Sequence, residues 1–177
     1  MRTIDRTGTA LLLVDFQTRL MPAIADGASV VANAQRLLAA AKLLDVPVMF
    51  TEQNVAGLGE TIPALDRAAH GTVLHKMTFD GCRVGGLARM PDRPGLVVAG
   101  CEAHVCVLQT VLGLLDNGRH VYIVQDAVGT RRAESKAVAL QRMERHGAEI
   151  VTTEMVVFEW LATAEHPRFR EALALLK

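Results

Sequence analysis

Short apolar runs alternating with longer stretches of helical apolar spacing constrain this chain more than any other feature. The strand candidates are Ala10–Val14, Val46–Phe50, Thr72–His75, Leu96–Ala99, His120–Val124 and Ile150–Thr152. All but the third are mostly apolar, as strands covered on both faces must be. Helix candidates are Val30–Leu44, Ile62–Ala69, Val84–Arg89, Val105–Asn117, Arg131–His146 and a C-terminal pair, Glu154–Leu161 and Pro167–Leu176. Gly118 and Gly147 stand where helices should stop, and Pro167 suits a first helical position. Strands separated by helices pair in parallel through right-handed crossovers. The expected fold is therefore α/β: a three-layer, doubly wound, mostly parallel six-stranded sheet. No Ser/Gly-rich or highly charged linker interrupts the alternation, so residues 1–177 are read as one domain.

Charge and cysteine usage narrow the partners. Lys plus Arg and Asp plus Glu number 19 each, and the cations are scattered except for Arg131-Arg132. That pattern does not make a phosphate-tracking surface, and low aromatic content weakens base stacking, so no nucleic acid is expected. No apolar run reaches the roughly 18 residues that span a bilayer. The stretch from Met1 to Gly8 lacks the apolar core of a secretory signal, so a cytoplasmic location and no membrane are expected. Three cysteines form no disulfide framework and fit a reducing compartment. Gly57-Leu58-Gly59 lacks the Lys-Ser/Thr ending of a phosphate loop, and the histidines have no zinc spacing. No metal and no cofactor are expected.

In such a sheet the ligand crevice lies at the carboxyl ends of the strands, where strand order reverses. Order 3-2-1-4-5-6 puts strands one and four on either side of that point. Three candidates fall on this edge: Asp15 after strand one, Lys76 after strand three, and Cys106 at the helix after strand four. A thiol at a helix N-terminus should titrate below its free value of about 8.5. Each residue alone is more often a cap, a solvated charge or a core thiol; an acid, a base and a nucleophile on one edge are more telling.

Leu12-Leu13-Val14-Asp15-Phe16-Gln17, Lys76 with Phe79, and Gly100 followed by Cys106-Val107 and Thr110 resemble the isochorismatase-like hydrolases, which include nicotinamidases and N-carbamoyl amide hydrolases. Thr51-Glu52-Gln53 with Gly57-Leu58-Gly59, Glu102 before Cys106-Val107-Leu108-Gln109-Thr110, and His166-Pro167 with Phe169 bring it nearest the isochorismatase domain-containing subgroup. The resemblance implies a triad of Asp15, Lys76 and Cys106, and a thioester acyl-enzyme formed on a small carbonyl substrate. It also implies a cis peptide at Cys101–Glu102, oxyanion donors in the N–H groups of Glu102 and Cys106, and a homo-oligomer.

Phe16, Gln17, Phe79 and Glu102 are the candidate substrate contacts, with core packing the alternative for the two phenylalanines and a structural hydrogen bond for Glu102. His104 is read as a polar contact, Cys101 as core, Cys82 as inert or lining, and Arg131 and Arg132 as salt-bridge or subunit contacts. Nicotinamidases carry an Asp-x-His metal cluster after strand two, whereas this chain has Thr51-Glu52-Gln53-Asn54, so a metal-independent reaction is expected. Family members that cleave a vinyl ether lack the cysteine, and Cys106 argues for acyl chemistry on an amide-like C–N bond. Two alternatives keep the fold without turnover: a binding or oligomeric interaction protein, and a redox sensor closing a Cys101–Cys106 disulfide.

Overall fold

A computed structural model describes residues 3–67, 71–83, 85–89 and 91–177. Six strands, β1 (Thr9–Val14), β2 (Val48–Gln53), β3 (Thr72–Lys76), β4 (Gly95–Cys101), β5 (His120–Gly129) and β6 (Glu149–Val151), form one sheet in the order β3-β2-β1-β4-β5-β6. Every pairing is parallel. Strands β1 and β4 occupy the centre, and each of their residues is buried.

Helices α1 (Gly27–Leu43), α2 (Val55–Leu58), α3 (Gly86–Arg89), α4 (Leu108–Asp116), α5 (Ala133–Arg145), α6 (Thr153–Leu161) and α7 (Phe169–Leu175) follow in chain order among the described residues. Because side chains alternate across a strand, Leu11 and Leu13 pack with Leu37, Val156 and Trp160 in one layer, under α1 and α6. Ala10 and Leu12 pack with Val107, Val111 and Met143 in the other, under α4 and α5. Trp160 is buried, yet its indole N–H still donates to the Thr9 hydroxyl at 3.1 Å, so burial leaves no orphan donor.

The boundaries differ from the sequence expectation where tertiary pairing overrides local apolarity. Strand β2 begins two residues later than expected and runs on through Thr51-Glu52-Gln53, because these polar residues ladder with Leu74-His75-Lys76 of β3. Strand β5 extends to Gly129, and β4 does not end at Gly100 but pairs Gly100 with Val128 and Cys101 with Gly129. Gly100 has φ 137°, and a Cβ there would collide with the Val14 carbonyl oxygen, so glycine serves the close approach of β1 and β4.

Of the Ile62–Ala69 candidate, Pro63–Leu65 form a 3-10 turn and Arg67 is helical; Ala68 and Ala69 lie outside the described residues, as does Val84 of another candidate. Pro167 precedes its helix, which starts at Phe169, and Arg131 and Arg132 precede α5. No helix among the described residues is long and apolar enough to cross a membrane.

Candidate active site

The register carries the ends of four strands to one edge. Val14 is level with Thr51 and Gly100, and Gln53 is level with Lys76. The next residue after β1, Asp15, turns out of the strand with φ 52°, in the left-handed region that Asp tolerates better than most residues. Its carboxylate is fully buried and carries one donor on each oxygen: the Thr51 hydroxyl at 2.6 Å from Oδ1 and Lys76 Nζ at 2.7 Å from Oδ2. Both ends of the Lys76–Asp15 ion pair are out of water, with side-chain exposures of 4% and 0%. In a low dielectric such a pair is held tightly.

Cys106 arrives from β4 through Glu102 and a wide π-type turn over Ala103–Val107. The Cys101–Glu102 peptide preceding this turn is cis. The N–H groups of Val105 and Val107 both donate to the Glu102 carbonyl, which closes the turn beneath the thiol. Cys106 is close enough to Asp15 and Lys76 for its thiol to feel both charges.

Burial, reinforced by the Asp15 charge and opposed by Lys76, pushes the Cys106 thiol up to about 12. This reverses the lowered value expected from a helix N-terminus. The turn is π-type and buried, so the desolvation cost of a thiolate outweighs the end-of-helix field. At neutral pH the thiol is protonated, with an acceptor carboxylate beside it.

Glu102 is also buried, but its carboxylate is bound to Arg131. Oε2 accepts the Arg131 N–H at 2.9 Å, and the Arg131 side chain meets both oxygens at 3.0 Å. Burial alone would raise this carboxyl, yet the Arg131 hydrogen bonds and charge outweigh it and hold Glu102 below the usual carboxylate range. Thr130 joins the set, 3.4 Å from Glu102 Oε2 and 3.0 Å from His104 Nδ1. The Glu102 side chain thus makes a structural contact, with Arg131 as its salt-bridge partner.

Two other candidates are relocated. Phe16 is 1% exposed and packs in the α1 layer, on the sheet face opposite Cys106, so it is core rather than pocket lining. Gln17 is fully buried and its amide is spent on main chain: Nε2 donates to the carbonyls of Gln53 and Gly59, and Oε1 accepts the Gln53 N–H at 2.9 Å. It clips the loop after β1 to the loop after β2. Phe79, by contrast, is 49% exposed beside Lys76, with Met77 next to it at 71%. A cavity of about 320 Å³ lined by Asn54, Val55, His75, Lys76 and Met77 opens there. A larger cavity of about 790 Å³ lies apart from these residues, against α1 and the His166–Arg168 turn.

Cys101 points into the α1 layer, 3.8 Å from Met21 Sδ, while Cys106 packs in the α4 layer. The sheet separates the two sulfurs, which removes the geometry for a Cys101–Cys106 disulfide. Cys82 is half-buried, and burial followed by the Asp80 charge pushes its thiol up to about 12. Among the described residues no group of three or more His, Cys, Asp or Glu side chains could hold a metal ion; His70 lies outside them.

One member of the site was missed. Thr51 entered the sequence reading only within the family-like Thr51-Glu52-Gln53 segment, although the strand order already puts the end of β2 beside the end of β1. Its partner could have been sought there.

The Isochorismatase domain model matches residues 9–155. Isochorismatase domain-containing protein 2 of Danio rerio is 37% identical over 177 residues, which cover 98% of this chain and 89% of that protein. Among solved structures, the Caenorhabditis elegans protein named MAR1 ribonuclease superposes with a TM-score of 0.92 at 32% identity, covering 98% of this chain and 92% of that one. The Escherichia coli YcaC gene product, described as an octameric hydrolase of unknown specificity, superposes with a TM-score of 0.88 over 99% of this chain and 88% of its own, and at 24% identity it is a likeness of fold.

Proposed function

The chain belongs to the isochorismatase family of hydrolases, and from that premise we propose that it is a metal-independent cysteine hydrolase cleaving an amide-like C–N bond, or a related carbonyl bond, of a small molecule. What carries this reading is the meeting of Asp15, Lys76 and Cys106, from three different strand ends, around one buried thiol. Because that thiol is protonated at neutral pH, attack and proton removal are coupled. The sulfur lone pair forms the C–S bond as the S–H proton passes to the Asp15 carboxylate. The carbonyl electron pair moves to oxygen, where the backbone N–H groups of Glu102 and Cys106 are the proposed donors to the oxyanion. Collapse breaks the C–N bond, and the amine leaves with the proton returned by Asp15. Asp15 then takes a proton from water, which attacks the thioester and regenerates the thiol. Lys76 holds the Asp15 carboxylate by Oδ2 through these steps.

The test is an amide and ester screen, with p-nitrophenyl acetate as the first probe, on the wild type and on Cys106→Ala. Turnover with a transient acyl mass on Cys106 is expected, and EDTA should leave the rate unchanged. Equal turnover by Cys106→Ala would remove the covalent mechanism.

The ribonuclease name of the Caenorhabditis elegans relative raises a second substrate class. The equal numbers of cations and anions favour a small molecule over a polyanion. RNA cleavage by the purified protein, lost in Cys106→Ala, would reverse that choice. Self-assembly belongs to the same proposal, since the Escherichia coli protein of this fold is described as octameric; light scattering measures it directly.

A further inference from the structure

We propose that Thr51 is a positioning residue for Asp15, holding its carboxylate in the orientation from which it exchanges a proton with Cys106; this rests on the cysteine-hydrolase reading above. Thr51 grips Asp15 at two points. Its carbonyl accepts the Asp15 N–H at 3.1 Å, and its hydroxyl donates to Oδ1 at 2.6 Å, with both residues fully buried.

The first contact fixes a backbone that sits at φ 52°, and the second fixes the rotation of the carboxylate about its last bond. Lys76 cannot do the second job. It meets only Oδ2, and an ammonium on a flexible stem is a point charge without a fixed direction. With Thr51 on one oxygen and Lys76 on the other, the carboxylate plane is defined from both sides. Among the described residues, the thiols of Cys106 from the π-type turn and Cys101 from β4 also feel the Asp15 charge.

The hydroxyl also favours the charged form of the carboxylate, because a donated hydrogen bond stabilises the anion. Thr51 therefore sets the direction of the acceptor. A role confined to packing would require the shape of the side chain but not its oxygen.

Thr51→Val keeps the β-branched shape and the carbonyl but removes the hydroxyl; Thr51→Ala does so without the added methyl, should that methyl disturb packing. Thr51→Ser keeps the hydroxyl and loses only a methyl. With p-nitrophenyl acetate as probe, the first two are expected to lower kcat by about 10-fold or more, with KM changed less than about 2-fold. Thr51→Ser should restore the rate. Wild-type kcat in Thr51→Val, or a Thr51→Ser as impaired as Thr51→Val, would overturn the assignment. A wild-type rate no greater than that of Cys106→Ala would instead sink the hydrolase reading itself.

Discussion

Two carboxylates at neighbouring strand ends, Asp15 and Glu52, are both fully buried and held in different ways. Asp15 takes one donor on each oxygen and faces a thiol. Glu52 crowds its donors onto Oε1, which accepts the Thr61 N–H and hydroxyl at 2.8 Å and Arg67 Nη1 at 3.1 Å. Its Oε2 has no hydrogen bond among the described residues, and His75 Nδ1 stands 3.4 Å away. Arg67 reaches on to Glu60 at 2.7 Å, so Glu52 anchors the segment after α2 to the sheet. Burial of an acid therefore does not by itself mark chemistry. What separates the two is the neighbour: a transferable proton at Asp15, a fixed guanidinium and main chain at Glu52.

The largest expected effect breaks this pair apart. Asp15→Asn removes the proton acceptor and should lower kcat by about 100- to 10,000-fold, the range that general acid–base groups supply. Glu52→Gln should leave kcat within a few-fold of wild type while weakening the contact to Arg67, which keeps Glu60, at a cost of about 1.5 kcal/mol and roughly 3–6 °C in Tm. Steady-state kinetics and a thermal melt on both variants decide it. Loss of turnover in a well-folded Glu52→Gln would make Glu52 a second reaction group.

A smaller effect sharpens the electrostatics at Asp15. Burial and then the Asp15 charge raise the Cys106 thiol to about 12, and Lys76 opposes them. Removing the anion should therefore lower the thiol's pKa, and removing the cation should raise it further. Alkylation of Cys106 by iodoacetamide at pH 8 reads the thiolate fraction, which changes tenfold per pKa unit well below the pKa. Asp15→Asn should react about 10-fold faster or more, and Lys76→Met correspondingly slower. Equal rates in all three proteins would show that neither charge acts on the sulfur.

The same contrast explains what could be read from the chain alone. Strand order and the edge that gathers Asp15, Lys76 and Cys106 follow from apolar periodicity and crossover handedness, which are local signals combined with a general rule. The orientation of individual side chains does not. Phe16 is adjacent to Asp15, yet it packs on the far face of the sheet, because Asp15 leaves the strand in a left-handed conformation and breaks the alternation. Gln17, a candidate substrate contact, is consumed by three main-chain contacts, two to Gln53 of β2 and one to Gly59, pairings that no window of sequence contains. The thiol's raised pKa was misread for a related reason: a helix start was legible, whereas its π-type geometry and depth of burial arise only from packing.

Glu102 gives the smallest expected effect and the finest test of the rule drawn from Asp15 and Glu52. It lies four residues before Cys106 and contributes the carbonyl that closes the nucleophile's turn. Its carboxylate, however, resembles that of Glu52 in being taken up by an arginine and a backbone N–H. If the neighbour decides the role, Glu102→Gln should keep the turn through its backbone and change kcat by less than about 3-fold, while weakening the hold on Arg131. That contact is screened by solvent, since the Arg131 side chain is 59% exposed, so a thermal melt should move little. The acid limb of the pH–rate profile should stay in place, because the charge removed is already neutralised by its partner. A Glu102→Gln that loses turnover or displaces that limb would put this carboxylate in the reaction and show that proximity to the thiol outweighs the identity of the group holding the acid.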